Sequence, residues 1–187
     1  MPGAIKFLQE RVGFLDGVVM SGGECTLYPA LIPLARAAKE LGYEVKVDTN
    51  GTSPNVIRRM VEESLVDYIA LDYKASRECF RKVTGRSHEF ESFSETLDYL
   101  IEKKFPFEVR TTVHADIVDE EQVNAIGKDL KQRGYKGEYY LQHYFHTENN
   151  LGNIKEADRE FDLSLIDVSI PIKLRNFPEL RELQRDR

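Results

Sequence analysis

Cysteine is scarce. The 187 residues contain two, Cys25 and Cys79, far apart and in no paired spacing. Structural zinc takes Cys/His pairs a few residues apart, and an iron–sulfur cluster takes about three or four cysteines, so neither can be built from this set alone. Basic charge is also lacking. The 26 Lys and Arg against 32 Asp and Glu give a net charge of −6, the opposite of the basic face that nonspecific nucleic-acid binding needs, and no nucleic-acid partner is expected. No apolar run approaches the ~20 residues of a membrane span, and MPGAIKFLQERVGFLDG lacks the apolar core of a signal peptide. No membrane partner and a cytoplasmic location are therefore expected. Phosphate-binding glycine loops are missing too, since neither G-x-x-x-x-G-K-[ST] nor G-x-G-x-x-G occurs.

What is present is a regular alternation of β-branched runs with helical stretches. Strands are expected at 16–20 (DGVVM), 44–48, 66–72, 107–113, 137–144 and 166–176. Helices are expected at 29–41, from Pro54 to about Ser64, at 92–104 with Ser92 or Ser94 as cap, and from Asp119 to Gly134. Residues 1–12 read as a further helix, the segment 145–163 as a polar loop, and the charged tail after 176 as a fraying end. Short connections between strands and helices imply a parallel α/β sheet with right-handed crossovers. The first five strands look apolar on both faces, as buried parallel strands are. An open doubly wound sheet and a β/α barrel both fit, and in either the chemistry collects at the C-terminal ends of the strands. Nothing in the length or composition divides the chain, so one domain over 1–187 is expected.

Those strand ends are polar. They carry Ser21-Gly22-Gly23-Glu24, then Asp48-Thr49-Asn50-Gly51, then Asp72-Tyr73-Lys74, then His114 beyond a strand that contains Arg110, and finally His143. Each has a structural explanation by itself. A Gly-Gly pair suits a turn with positive φ, Asn-Gly is a turn dipeptide, Asp72 and Lys74 share one strand face, and the histidines suit a rim. Their recurrence at successive strand ends points to a site. A Gly-Gly turn exposes backbone where no side chain obstructs a ligand. Glu24 is placed to accept from a cationic amine, Asp48, Asn50 and Asp72 offer acceptors for hydroxyls, and Lys74, Arg110 and the histidines can meet a carboxylate. The expected ligand is zwitterionic, with ribose-like hydroxyls.

VVMSGGECTL, VKVDTNGT, LDYK and FEVRTTVH, in this order and spacing, resemble the radical S-adenosylmethionine superfamily. The likeness is to its glycyl-radical-enzyme activases, of the anaerobic ribonucleotide reductase and pyruvate formate-lyase activating types. The resemblance covers about residues 1–145, and 146–187 then form an extension with one further strand. It implies a partial (β/α)6 TIM-like barrel lacking its first strand and the cysteine loop that holds a [4Fe-4S] cluster. In that family the cluster reduces S-adenosylmethionine to a 5′-deoxyadenosyl radical, which generates a glycyl radical on a partner enzyme. The resemblance assigns Gly22, Gly23 and Glu24 to the cofactor's amino group, Asp48, Thr49 and Asn50 to a neighbouring contact, and Asp72 and Lys74 to the methionine half. It assigns Arg110 and His114 to the carboxylate and ribose, and His143 to a position on the sixth barrel strand. The implied partners are a glycyl radical enzyme and a one-electron donor such as flavodoxin or ferredoxin. No catalytic acid or base is needed and no metal ligand is assigned; lacking the cysteine loop, this chain alone is expected to be inactive, and exposed barrel edges are expected to let it self-associate. Cys25 and Cys79 read as small semi-buried residues. Two other readings stay open: a cluster-less binding or scaffold relative of the same barrel, and a synthase acting on a small molecule, as the deazaguanine-forming enzymes do.

Overall fold

The computed structural model describes residues 2–86, 89–146 and 154–177. The tail after 177 and part of the expected loop at 145–163 lie outside them. The elements run α1 (Pro2–Gln9), β1 (Gly17–Met20), α2 (Leu31–Glu40), β2 (Glu44–Thr49), α3 (Pro54–Glu62), β3 (Tyr68–Asp72), α4 (Phe80–Thr84), α5 (Glu89–Glu102), β4 (Phe107–Val113), α6 (Glu120–Gln132), β5 (Tyr139–His143) and β6 (Ile172–Arg175). The chain divides into two compact units, residues 1–72 with 88–107 and residues 73–87 with 108–187.

In the first unit β1, β2 and β3 pair in parallel and in chain order, with Val18 opposite Val45 and Val47 opposite Ile69. The helices form where their punctuation demands. Pro54 sits in the first turn of α3, Gly42 (φ 87°) follows α2, and acidic Glu89 and Glu91 occupy the first turn of α5. Helix α5 starts at Glu89, so Ser92 and Ser94 lie inside it and neither caps it. Val45, Val47, Ile57, Met60, Ile69, Leu71, Phe93, Leu97 and Leu100 form the core.

In the second unit β4, β5 and β6 are also parallel and in order, with Val109 opposite Tyr139 and Leu141 opposite Leu174. Asp119 caps α6 by accepting from the Gln122 N–H at 3.0 Å. The expected strand 166–176 shortens to β6. Pro171 has no N–H to donate to a ladder, although its carbonyl accepts from Tyr139 N at 2.9 Å. The residues before it are captured by α6 instead. Asn124 Oδ1 accepts from Asp167 N at 2.8 Å, its Nδ2 donates to Leu165 O at 2.9 Å, and Val168 lies so close to Gly127 that a Cβ there would stand 2.2 Å from its Cγ1.

The expectation of strands apolar on both faces holds for β3, where Ile69, Ala70 and Leu71 are all fully buried, but not for β1 and β2. In β2 the buried Val45, Val47 and Thr49 alternate with Glu44, Lys46 and Asp48, and Val19 of β1 is 57% exposed. In the second unit the polar side carries Glu108 in a paired contact with Arg175 (3.0 and 2.9 Å), whose guanidinium lies 3.6 Å from the Tyr140 ring centroid. Charged residues at every second position require one face that is not packed in apolar core. The α/β parallel, partial TIM-like barrel type expected from the sequence is the fold observed.

Candidate functional site

The first unit gathers one polar cluster at the C-terminal end of its strands. Gly22 and Gly23 follow β1 with φ of 105° and 54°, values that favour glycine at both positions. A Cβ at Gly22 would meet no atom within 4 Å, and one at Gly23 would meet only the Tyr28 hydroxyl at 3.8 Å. The turn is open, and its backbone stands clear of side chains. Glu24 anchors it. Oε1 accepts from Thr26 N (3.1 Å), Thr26 Oγ1 (2.7 Å) and Thr49 Oγ1 (2.7 Å), while Oε2 accepts from Asn50 N (2.7 Å). Three of these donors share Oε1 and one meets Oε2, whose second lone pair is not used by them. Glu24 thus ties the turn after β1 to the end of β2. The sequence leads one to expect Glu24 to accept from a ligand amine; these protein donors come from its own loop and from the end of β2.

Thr49 is committed in the same way. It is buried, donates to Glu24 and accepts from Gly51 N at 3.1 Å. Asn50 Oδ1 accepts from Thr52 N (2.9 Å) and Thr52 Oγ1 (2.7 Å), which fixes the side chain and leaves its amide nitrogen as the donor to offer. Asp48 stands on the polar side of β2, 3.8 Å from the Lys46 ammonium. Thr49 is opposite Leu71 in the β2–β3 register, so one step further places Asn50 level with Asp72. Gly22, Gly23, Glu24, Asp48, Thr49, Asn50 and Asp72 thus share one end of a three-stranded sheet. Cys25 is locked beneath them, its thiol donating to Asp48 O at 3.2 Å. Burial, followed by the negative charge of Glu24, pushes that thiol up to about 11, which keeps it protonated at neutral pH. Cys79 precedes α4 in the other unit and is half-buried.

The second unit holds the remaining expected residues. Lys74 is exposed beside Tyr73, whose N–H donates to Arg110 O at 2.7 Å. Arg110 is opposite Tyr140, in mid-strand, three residues before the β4 end. His143, at the end of β5, is opposite Val113, and His114 follows. His114 is buried and engaged at both nitrogens. Nε2 donates to Lys155 O at 2.9 Å, and Nδ1 accepts from Asp116 N at 3.3 Å, which assigns the neutral Nε2–H tautomer. His143 Nδ1 donates to Tyr144 O at 2.8 Å.

Matching against family profiles identifies the Radical SAM superfamily over residues 3–128. The chain belongs to this superfamily. Among its relatives is a Methanocaldococcus jannaschii protein, MJ1227, provisionally assigned as a glycyl-radical enzyme activating enzyme. It is 38% identical over 123 residues, covering 63% of this chain and 51% of that protein. A second protein of that organism with the same provisional assignment, MJ1632, is 26% identical, covering 83% of this chain and 60% of its own length. The chain thus spans between half and two thirds of the length of these two curated relatives. A domain of pyruvate-formate lyase-activating enzyme from Bacteroides vulgatus superposes with a TM-score of 0.66 at 16% identity, covering 86% of this chain and 99% of that one. Streptococcus suis SuiB bound to S-adenosylmethionine superposes at 0.65 and 13% identity, covering 94% and 44%. At such identities the superpositions establish the fold.

The superfamily implies S-adenosylmethionine and an iron–sulfur cluster. The open Gly22–Gly23 turn fits the first, because a ligand can approach its backbone unobstructed. The two cysteines do not fit the second. They are too few and they sit on separate elements.

Sequence reasoning missed one cluster of the second unit. Glu120 is buried and accepts from Arg159 Nη1 (2.8 Å), Arg159 Nη2 (2.6 Å) and Asp162 N (2.7 Å). With Asp116 Oδ2 accepting from Asp158 N at 2.7 Å, these contacts strap residues 154–162 onto the loop after β4. The Arg159 hydrogen bonds hold the Glu120 carboxyl down at about 2. A depressed carboxyl contributes its stability fully above the ordinary glutamate value and loses it as pH falls toward the folded one. Acidification from about pH 4.5 to pH 2 is therefore expected to release the strap. A fall in the hydrogen-exchange protection factors of the Asp158 and Asp162 amides would report it, with E120Q showing the same release at neutral pH. Unchanged exchange in E120Q would refute the clamp.

Proposed function

We propose that this chain is the S-adenosylmethionine-binding part of an enzyme that activates a glycyl radical enzyme. The supporting observation is the Gly22–Gly23 turn, with both φ positive, open to a ligand and fixed by Glu24 to the end of β2. In this reading the backbone carbonyls of the turn accept from the cofactor's ammonium, while Glu24 and Thr49 hold that backbone in place. The Asn50 amide nitrogen donates to a cofactor oxygen, and Asp48 and Asp72 accept from hydroxyl or ammonium protons. The family pattern assigns Lys74, with Asp72, to the methionine half, Arg110 and His114 to the carboxylate and ribose, and His143 to a position on the sixth barrel strand. S-adenosylmethionine supplies the adenosyl group for radical chemistry, and these residues bind and orient it and exclude water. A flavodoxin or ferredoxin as electron donor and a glycyl radical enzyme as partner complete the reading. The likeness to MJ1227 supports the partner.

A second reading is a binding role for the same turn without cofactor cleavage, supported by the way Glu24 fixes the turn through protein hydrogen bonds alone. The two share a test. Calorimetric titration with S-adenosylmethionine should show binding to the unaltered chain, and G22V should weaken it at least about tenfold by closing the turn. No binding, or equal binding by G22V, would sink both readings. Cleavage of the cofactor after iron–sulfur reconstitution of this chain would remove the second.

A further inference from the structure

The core of the second unit holds two hydroxyls where apolar side chains of nearly the same shape would fit. Thr111 lies on the buried face of β4, two residues from Val109 on one side and Val113 on the other, and is opposite Leu141 of β5. Those three are fully buried, as is Tyr139, and Thr111 is 1% exposed. Tyr139 Oη donates to Thr111 Oγ1 at 2.8 Å, and Thr111 Oγ1 donates to the Tyr73 carbonyl at 2.8 Å. The carbonyl at the end has no proton to give, so it sets the direction of the whole relay. Thr111 must donate to Tyr73, and Tyr139 must donate to Thr111. Accepting from Tyr139 polarises the Thr111 hydroxyl and strengthens the bond it donates. Valine at 111 and phenylalanine at 139 would fill the space without burying any polar group, so packing alone does not explain the pair.

We propose that Thr111, with Tyr139 behind it, is a positioning residue that sets where Lys74 stands to meet the methionine half of S-adenosylmethionine. This rests on the reading of the chain as the part that binds that cofactor. The relay ends on the peptide that joins Tyr73 to Lys74. A peptide unit is planar, so the Tyr73 oxygen, the Lys74 N–H and the Lys74 Cα share one plane, and holding the oxygen fixes the other two. The remaining polar groups of Tyr73 are anchored as well. Its N–H donates to Arg110 O at 2.7 Å, and its Oη donates to Asp129 Oδ2 at 2.9 Å, which also accepts from Arg133 Nε at 2.8 Å. Those two bonds place Tyr73 itself; the carbonyl bond governs the residue after it. Tyr73 is buried while Lys74 is exposed. A lysine ammonium is a point charge on a flexible four-carbon stem, so what it can reach depends on where its Cα starts. A relay that served stability alone would act the same whatever side chain stood at 74.

The experiment is calorimetric titration with S-adenosylmethionine at a temperature where circular dichroism shows each variant folded. Thr111→Val should weaken binding by about five- to tenfold, the worth of one hydrogen bond. Thr111→Ser keeps the hydroxyl and should bind as the unaltered chain does. Tyr139→Phe leaves the bond to Tyr73 but removes the donor behind it, and should weaken binding by about threefold. Lys74→Met decides between positioning and stability. In that background Thr111→Val should change the affinity by less than about twofold, because the group it positions is gone. Additive effects of the two changes, unaltered binding by Thr111→Val, or a failure of Thr111→Ser to restore binding would each overturn the proposal. Should Thr111→Val not fold, Tyr139→Phe carries the same cycle: its effect should vanish beside Lys74→Met, and additivity would overturn the proposal. No binding by the unaltered chain sinks the functional reading and the positioning role with it. Binding that neither Thr111→Val nor Tyr139→Phe disturbs sinks the positioning role alone.

Discussion

Replacing Glu24 with alanine should destabilise the protein by about 3 kcal/mol and abolish S-adenosylmethionine binding together. The carboxylate accepts four hydrogen bonds, from two threonine hydroxyls and two backbone N–H groups. Hydrogen bonds to a charged acceptor contribute about 1.5–3 kcal/mol each at their strongest, and a buried donor left without a partner costs about 1–3. Simple addition overshoots, because the Ser21–Gly23 side of the loop is exposed and water can reach part of the vacated site. Thr49 and Thr26 are buried, however, so their donors cannot all be resolvated. For a chain of this length about 3 kcal/mol corresponds to a melting temperature lower by roughly 6–12 °C. Glutamine at 24 keeps one acceptor oxygen and turns an NH2 toward donors, so E24Q should fall between the two proteins. A melting temperature within a degree or two of the unaltered chain for E24A would show that the turn does not depend on this carboxylate.

The contrast between what was readable and what was not follows sequence separation. Strand ends were legible because β-branched runs stop at Gly-Gly, Asn-Gly and Asp-x-Lys, whose backbone preferences are local. Asp119 as a cap was legible for the same reason. The partners of Glu24 were not, since Thr49 and Asn50 come from the next strand and only the folded register brings them within reach. The strap is more remote still, joining Asp116 and Glu120 to residues about forty positions later. Two misreadings had a local signal. Glu44, Lys46 and Asp48 alternate with buried residues, a period of two that marks a half-polar strand rather than one buried on both faces. Pro171 inside the expected last strand likewise marks where pairing cannot begin earlier. Arg110 was legible in place: its strand, expected at 107–113, is β4 with the same bounds, which sets Arg110 three residues before the end.

Gly51 shows how tightly the same turn is built, and G51A should be nearly as damaging as the loss of Glu24. Its φ is 73°, a left-handed conformation that costs a residue with a Cβ about 1–2 kcal/mol. The added Cβ would also stand 2.6 Å from Leu71 Cδ1 and 3.2 Å from Phe93 Cδ2, both fully buried. Neither side chain has open space to move into, and overpacking of this kind costs about 1–3 kcal/mol. Thr96 Oγ1 donates to the Gly51 carbonyl at 2.6 Å, so the backbone cannot rotate away without breaking a buried hydrogen bond. The combined effect, about 3 kcal/mol, would be read in a urea titration as a lower midpoint at unchanged slope. The sharper test is the double variant with Leu71→Ala. Trimming Leu71 removes the closest contact, so G51A should cost less in that background than in the unaltered chain. Strict additivity of the two changes would mean that the conformation of Gly51, rather than the space around it, sets the requirement for glycine.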